Sequence, residues 1–425
     1  MNMVRKRAIK NGKFVETASL AWEWLEDIAQ CSQTQDPDSE GVTRLCASEE
    51  HAKANEKLRE WMLLSGMEVR MDNAANLIGR YHSPNPNAQT LIFGSHQDTV
   101  PNGGKYDGIL GVILPVALIH YFHQQKLEFP FNIDVIAFSD EEGTRFQSTL
   151  LGSKAISGTF DPSVLDAQDA NGVSMREALT SFGCHPEQIE KDAYDKDKVL
   201  GFVELHIEQG PQLEQANLPV GVVTAITGIE RHTLSIVGKA GHAGTVPMDM
   251  RQDALVGAAQ VIHMFDQLCK REDDLVGVVG KIANFPNGVN VIPQQTDITI
   301  ELRSPNDASR IAARQEMLAN IETLMAQYNL AYRHEQTYEQ SAVTCSDSLS
   351  AALAQAIALS NIDTKHLFSG AGHDGLAVCE LTDIAMLFMR CTDGVSHHPD
   401  EAILQQDLVA AVEVLNHFCM LMTHQ

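Results

Sequence analysis

The chain has no run approaching the roughly 18 apolar residues that a membrane-spanning helix requires, although 44% of its 425 residues are hydrophobic. Residues 1–14 are basic, but no apolar stretch of the kind found in a secretory leader follows them. Both absences point to a protein that is neither exported nor embedded, and a cytoplasmic location is expected. Basic residues are also scarce. Thirty-one Lys and Arg stand against 56 Asp and Glu, a net charge of −25, with the acids spread along the chain rather than gathered in a tail. That balance excludes nucleic acid and anionic membrane as natural partners. The eight cysteines, Cys31, Cys46, Cys184, Cys269, Cys345, Cys379, Cys391 and Cys419, occur singly and never as CxxC. This excludes a disulfide framework or a thiolate zinc site and leaves reduced thiols. Internal repeats, low-complexity tracts and long linkers are absent too, so the length implies two or three compact domains.

What is present is a pattern of short apolar runs that stop abruptly in chemically loaded residues. Residues 17–30 and 49–65 have helical apolar spacing, whereas 90–93, 133–138 and 202–205 read as buried strands, with 110–124 as the helix after the first of them. Strand, loop and helix in that order predict an α/β fold with a central, mostly parallel sheet, in which sites collect where strands end. The middle of the chain differs. Residues 233–237, 275–282, 296–302 and 332–339 look like half-exposed strands, separated by helical stretches at 253–268 and 307–328. They predict a smaller α+β domain of β-α-β-β-α-β order, placed at 222–339. The helix at 348–360 and the buried runs 366–368 and 385–388 return to the first texture, so 1–221 and 340–425 are expected to form one domain.

The strand ends carry the chemistry. The first runs into GSHQDTVPNGGKYDG, where His96 and Asp107 could supply imidazole and carboxylate to one cation; taken alone, the stretch could equally be a polar turn. Asp98 is placed to accept the other ring N–H of His96 and fix its tautomer. The next strand ends in Ser139-Asp140-Glu141-Glu142-Gly143, either a solvated acidic loop or carboxylates that need a cation or a raised pKa. Their side chains are expected to diverge, so that one binds metal while the other faces substrate. His206, in ELHIEQG, and a histidine of GVSHHPDE add imidazoles, although a single histidine is more often structural. Taken together, five N and O ligands from five segments suit two divalent ions sharing a carboxylate better than a closed structural zinc site.

In the insert, His242 lies among small residues in GKAGHAGTVP, Asn290 lies in the run 284–293, and Arg303 ends a strand. They could bind an anionic substrate, with Arg303 forking onto its carboxylate, or Arg303 could be a surface ion pair. Gly370-Ala371-Gly372-His373-Asp374-Gly375 matches the dinucleotide pattern G-x-G-x-x-G but begins too near the C-terminus to open a nucleotide-binding half.

From about residue 18 to 420, the ordered series GSHQDTVPNGGKYDG, DEEGTRF, ELHIEQGP, GHAGTVPMDMR, NVIP, SGAGHDG and GVSHHPDE resembles the amidase, or hydantoinase/carbamoylase, branch of the M20 metallohydrolases. That branch includes allantoate amidohydrolases, N-carbamoyl-L-amino-acid hydrolases and β-ureidopropionases. The resemblance implies two divalent ions, zinc or manganese with cobalt or nickel as alternatives. Asp107 would bridge them, with His96 and His206 on one ion and Glu142 and His397 on the other. It implies Glu141 as general base and Gln209, His242, Asn290, Arg303 and Gly372 on the substrate side, with His242 also stabilising the oxyanion. The 222–339 domain would then be a ferredoxin-like lid that closes over the metals and through which the chain dimerises. HAGTVPMDMRQD and MLFMRCTDGVSHHPDE look closer to plant-type allantoate amidohydrolases of purine catabolism, whereas VPNGGKYDGILGV and EQGPQLE look equally like carbamoyl-amino-acid hydrolases. The expected substrate is therefore a small carboxylate-bearing ureido compound, allantoate first. An M20 peptidase and a non-catalytic binding protein are the distant alternatives.

Overall fold

The computed structural model describes residues 12–33 and 41–424, so most of the basic stretch 1–14 lies outside the described residues. The chain forms two compact units. One comprises the chain up to Thr224 together with Cys345–Leu367 and the residues from His373 onward; the other is Ala225–Thr344 with Phe368–Gly372. The second unit thus includes a short segment outside the expected 222–339.

In the larger unit the sheet order is Glu68–Met71, Leu77–Tyr81, Asn132–Phe138, Thr90–His96, Val199–Ile207, Ile384–Met389 and Val220–Ile226. The middle four strands are parallel and the flanking ones antiparallel. Every residue of Thr90–His96, Asn132–Phe138 and Ile384–Met389 is buried, as a parallel sheet covered on both faces requires. Helices Gly12–Ile28, Glu49–Leu64, Leu110–Gln124, Asp347–Leu359 and Gln405–Met422 contribute Leu25, Leu58, Ile113, Leu353 and Leu415 to one continuous core with the strands. Phe146, Leu151, Met175 and Leu179 form a separate apolar cluster in this unit.

Two strands are longer than their apolar runs. Ser95 and His96 pair with Ala137 and Phe138, and Glu204 and His206 pair with Met386 and Phe388. Ladder bonds use the backbone and are indifferent to a polar side chain, so the strands run on past the apolar stretches 90–93 and 202–205 that mark them. Arg44 is 1% exposed and donates to the Gln97, Ile28 and Cys31 carbonyls at 2.7, 3.1 and 3.2 Å. It ties the C-terminal end of the first helix, where a cation suits the helix dipole, to the loop that follows His96.

The smaller unit is a four-stranded antiparallel sheet in the order Ala331–Gln340, Gly228–Val237, Gln295–Ser304 and Val276–Phe285. Burial alternates strictly along Gln295–Ser304. Its inward residues Ile298, Ile300 and Leu302 pack with Val261 and Phe265 of helix Ala254–Cys269 and with Met317 and Ile321 of helix Asp307–Gln327. Asp253 and Asn306 cap those helices, each accepting two backbone N–H groups. All eight cysteines are unpaired, and among the described residues no helix is long and apolar enough to cross a membrane.

Candidate metal centre

The parallel strands bring their C-terminal ends together. His96 is the last residue of its strand, His206 the penultimate residue of the neighbouring one, and Glu141 and Glu142 follow Phe138. Asp107 enters from the loop before helix Leu110–Gln124 and His397 from the loop after Ile384–Met389. Candidate ligand atoms of His96, Asp107 and His206 lie within 4.8 Å of one another; so do those of Asp107, Glu142 and His397, and those of His96, Glu141 and Glu142. Asp107 is common to the first two sets.

The tautomers bear on what this arrangement could hold. Nδ1 of His96 lies 2.9 Å from the Asp98 carbonyl and Nδ1 of His206 lies 2.9 Å from the Ile207 carbonyl. A carbonyl only accepts, so both Nδ1 atoms carry hydrogen and both Nε2 atoms are lone pairs in the neutral rings. The Gly108 N–H donates to Nε2 of His206 at 3.2 Å, consistent with a lone pair there. Both Nε2 atoms face Oδ1 of Asp107, at 3.7 Å from His96 and 3.0 Å from His206. That buried oxygen nevertheless has no well-directed hydrogen bond. Two lone pairs aimed at a buried carboxylate oxygen repel unless a cation lies among them, so the donor set fits a divalent ion.

The titration behaviour has the same origin. Burial disfavours charge on His206, but were its Nε2 to take a proton the adjoining Asp107 would hold it, which raises its pKa to about 9. His397 is likewise raised to about 9, by its hydrogen bond to Asp107 and then by Glu142. Burial would raise Asp107, yet these histidines hold it well below the usual range. Without a metal the cluster would recruit protons; a divalent cation would take their place. Burial, and then Asp374, Asp98 and Glu204, push Glu141 well above the ordinary range, while burial and then Glu141 push Glu142 to about 9. Such crowding of carboxylates again calls for positive charge.

Two expectations are corrected here. Nδ1 of His96 is held by the Asp98 carbonyl, with Oδ1 of Asp98 farther away at 3.7 Å. The Asp98 carboxylate instead accepts the N–H groups of Glu141 and Glu142 at 3.0 and 3.1 Å. It therefore orients the acidic turn, and as a result the two glutamates converge with His96 rather than diverge.

Gln209, expected on the substrate side, donates from Nε2 to Oδ2 of Asp107 at 3.0 Å and to Oγ of Ser396 at 3.1 Å. Both Gln209 and His397 have left-handed backbones, with φ of 56°, strain of a kind that collects at functional sites. Gly108 at φ +69° lets Asp107 turn beneath His96, since a Cβ there would lie 2.4 Å from the imidazole.

Residues 242, 290, 303 and 372 all belong to the smaller unit. His242 pairs with Val291 across a two-residue ladder, and the Ala243 N–H donates to the Asn290 carbonyl. Nδ1 of His242 accepts the Gly244 N–H at 3.1 Å, which puts the ring hydrogen of the neutral side chain on Nε2, in an exposed position. Arg303 directs Nε and Nη2 to Oε1 of Glu301, at 2.8 and 2.6 Å, and Nη1 to the Gly370 carbonyl, two residues before Gly372. The ion pair weighed for Arg303 is thus present, and a substrate carboxylate would have to share the guanidinium with Glu301.

Residues not singled out from the sequence complete the larger unit's site. His373 is fully buried and packs edge-on against His206, ring centroids 4.5 Å apart. Glu204, also fully buried, accepts from Ser95 and from the Gly375 N–H. Ser396 and Glu401 lie beside Asp107. SGAGHDG and GVSHHPDE contain three of these residues, but nothing in their spacing distinguishes them from loop residues.

A sequence profile of peptidase family M20/M25/M40 matches residues 92–421. The chain is 37% identical over 395 residues to an N-carbamoyl-L-amino-acid amidohydrolase of Pseudomonas sp. (strain NS671), covering 92% of this chain and 95% of that one. It is 38% identical over 392 residues to allantoate deiminase 1 of Glycine max, covering 84% and 81% respectively. A crystal structure of an amidase of the hydantoinase/carbamoylase family from Burkholderia multivorans superimposes with a TM-score of 0.90 at 27% identity, over 96% of this chain and 98% of that one. The chain therefore belongs to peptidase family M20/M25/M40, on its amidohydrolase branch.

Proposed function

We propose that this protein hydrolyses a ureido or carbamoyl C–N bond of a small carboxylate-bearing substrate, with allantoate as the first candidate and N-carbamoyl-L-amino acids as the second. The observation that carries this reading is the pair of Nε2 lone pairs directed at Asp107, a donor set that calls for a cation. His96, Asp107 and His206 would hold one ion, and Asp107, Glu142 and His397 the other. Bound there, such ions supply Lewis acidity toward the scissile carbonyl and a lowered pKa for the attacking water. Glu141 takes the proton from that water and returns it to the departing nitrogen. Asp98 keeps Glu141 in place through its backbone N–H. His242, with its exposed Nε2–H, is the donor proposed for the developing oxyanion. Arg303 and Asn290 are proposed to bind the substrate carboxylate and Gly372 to lie beside it, with Gln209 steadying Asp107 on the metal side.

Identities of 38% and 37% to an allantoate deiminase and a carbamoyl-amino-acid amidohydrolase do not discriminate between the two substrates; the MDMRQD and MLFMRCTDGVSHHPDE stretches favour allantoate. Ammonia release from allantoate and from N-carbamoyl-L-amino acids, assayed side by side, separates them. Turnover of allantoate with higher kcat/KM is the expected result. Cleavage of the carbamoyl amino acid alone would replace the first candidate with the second, and inactivity on both would favour a peptidase.

We further propose self-association through strand Val276–Phe285. This strand lies at one edge of its sheet, and Val276, Val278, Ile282 and Phe285 are 46–55% exposed on it, an edge that soluble proteins normally cover or charge. Light scattering should give a dimer mass, and Val278→Lys with Ile282→Lys should shift it to monomer. A monomeric mass for the unaltered protein would refute the idea.

A further inference from the structure

Behind the candidate ligands lies a carboxylate that touches none of the expected metal positions yet joins two of the segments that supply them. Glu401 is 4% exposed. Its Oε1 accepts the backbone N–H groups of Tyr106 and Asp107 at 2.9 and 3.0 Å, and its Oε2 accepts the Ser396 hydroxyl at 3.0 Å. Ser396 precedes His397, and its Oγ also lies 3.1 Å from Oδ2 of Asp107. One side chain therefore grips the backbone of Asp107 and, through Ser396, the loop that carries His397. The sequence makes room for it: a Cβ on Gly104 would fall 2.0 Å from the Glu401 carboxyl carbon. Glycine at 104 is thus required by the strut itself, since no ordinary contact distance is that short.

From this geometry we infer that Glu401 is a positioning residue, a strut that holds Asp107 and His397 at the separation needed to share a cation, with Gly104 as its socket. The inference rests on the two-ion reading above. It follows physically from the groups involved. A buried carboxylate can satisfy two backbone donors and a hydroxyl together, which fixes the Asp107 backbone before any ion arrives, so less ordering remains to be done on binding. Without the strut the Tyr106 and Asp107 N–H groups lose their acceptor, and the loop is free to turn Asp107 away.

The test reads metal binding rather than turnover. Zn²⁺ is titrated into stripped protein against a chromophoric chelator, for the unaltered chain, Glu401→Ala, Glu401→Gln, Gly104→Ala and the double variant Glu401→Ala/Gly104→Ala. Glu401→Ala is expected to weaken zinc binding by about 10- to 100-fold, as loss of a group that orients a ligand typically does. Glu401→Gln, which keeps one oxygen for the two N–H groups and an amide for Ser396, should recover most of that loss and also covers the case in which the alanine variant fails to fold. Gly104→Ala should weaken binding alone, because its methyl displaces Glu401, but should cost nothing further once Glu401 is alanine. Zinc affinity unchanged in Glu401→Ala, or losses that simply add in the double variant, would overturn the strut while leaving the metal centre intact. Failure of the unaltered chain to bind zinc would remove both.

Discussion

Glu141→Gln is expected to lower kcat by about 10²- to 10⁴-fold, the usual contribution of a positioned general base, while metal content stays unchanged. The expectation follows from the surroundings of Glu141. Its backbone N–H is fixed by the Asp98 carboxylate, and its own carboxylate is pushed well above the ordinary pKa range by burial and then by Asp374, Asp98 and Glu204. A base in such a place holds a proton readily, and cations bound by the neighbouring residues would bring its pKa back toward the working range. Glutamine keeps the shape and the backbone contact but cannot take the proton. Because Glu141 also lies within 4.8 Å of candidate ligand atoms of His96 and Glu142, metal content measured alongside kcat decides its role. Loss of metal from the glutamine variant would make Glu141 a ligand, and full activity would remove it from the chemistry altogether.

The second large effect is metal removal. Protein stripped with a chelator should lose more than about 99% of its activity, since an unassisted water with a pKa near 15.7 gives Glu141 no practical proton to take. Refilling with Mn²⁺ or Zn²⁺ should restore activity, and the better ion names the preferred one, which His and carboxylate ligands do not decide by type. The stripped protein should also take up protons on losing its metal, because Asp107 then raises His206 and His397 to about 9, so both are charged at neutral pH. Activity that survives exhaustive stripping, with residual metal verified to be absent, would exclude the two-ion reading.

Much of this architecture was legible before any coordinates. The strand-loop-helix order around Thr90–His96 and Asn132–Phe138, the β-α-β-β-α-β arrangement of the smaller unit and helix Leu110–Gln124 all follow from apolar periodicity, which is written locally. Candidate ligands were legible in part for a similar reason, since His96, Asp107, His206, the Glu141-Glu142 pair and the His397-His398 pair stand at the ends of apolar strands or in glycine-rich loops, whereas the choice of Glu142 and His397 within those pairs is what the family resemblance implies. The apolar runs 90–93 and 202–205 stop short of His96 and His206, which belong to the ladders, and the groups that Asp98 binds lie 43 and 44 residues away, beyond the reach of a local pattern.

By itself, then, the sequence determined the two kinds of sheet, the acidic character, the isolated spacing of the cysteines and the set of residue types available to a cation. Only the tertiary structure decided how those residues are held from afar: Asp98 beneath the glutamates, Glu204 between Ser95 and the Gly375 N–H, and Glu401 gripping Asp107 from 294 positions away. Periodicity and residue chemistry are properties of neighbours along the chain. A hydrogen bond between distant segments depends on which strands the sheet places side by side, and no local pattern encodes that.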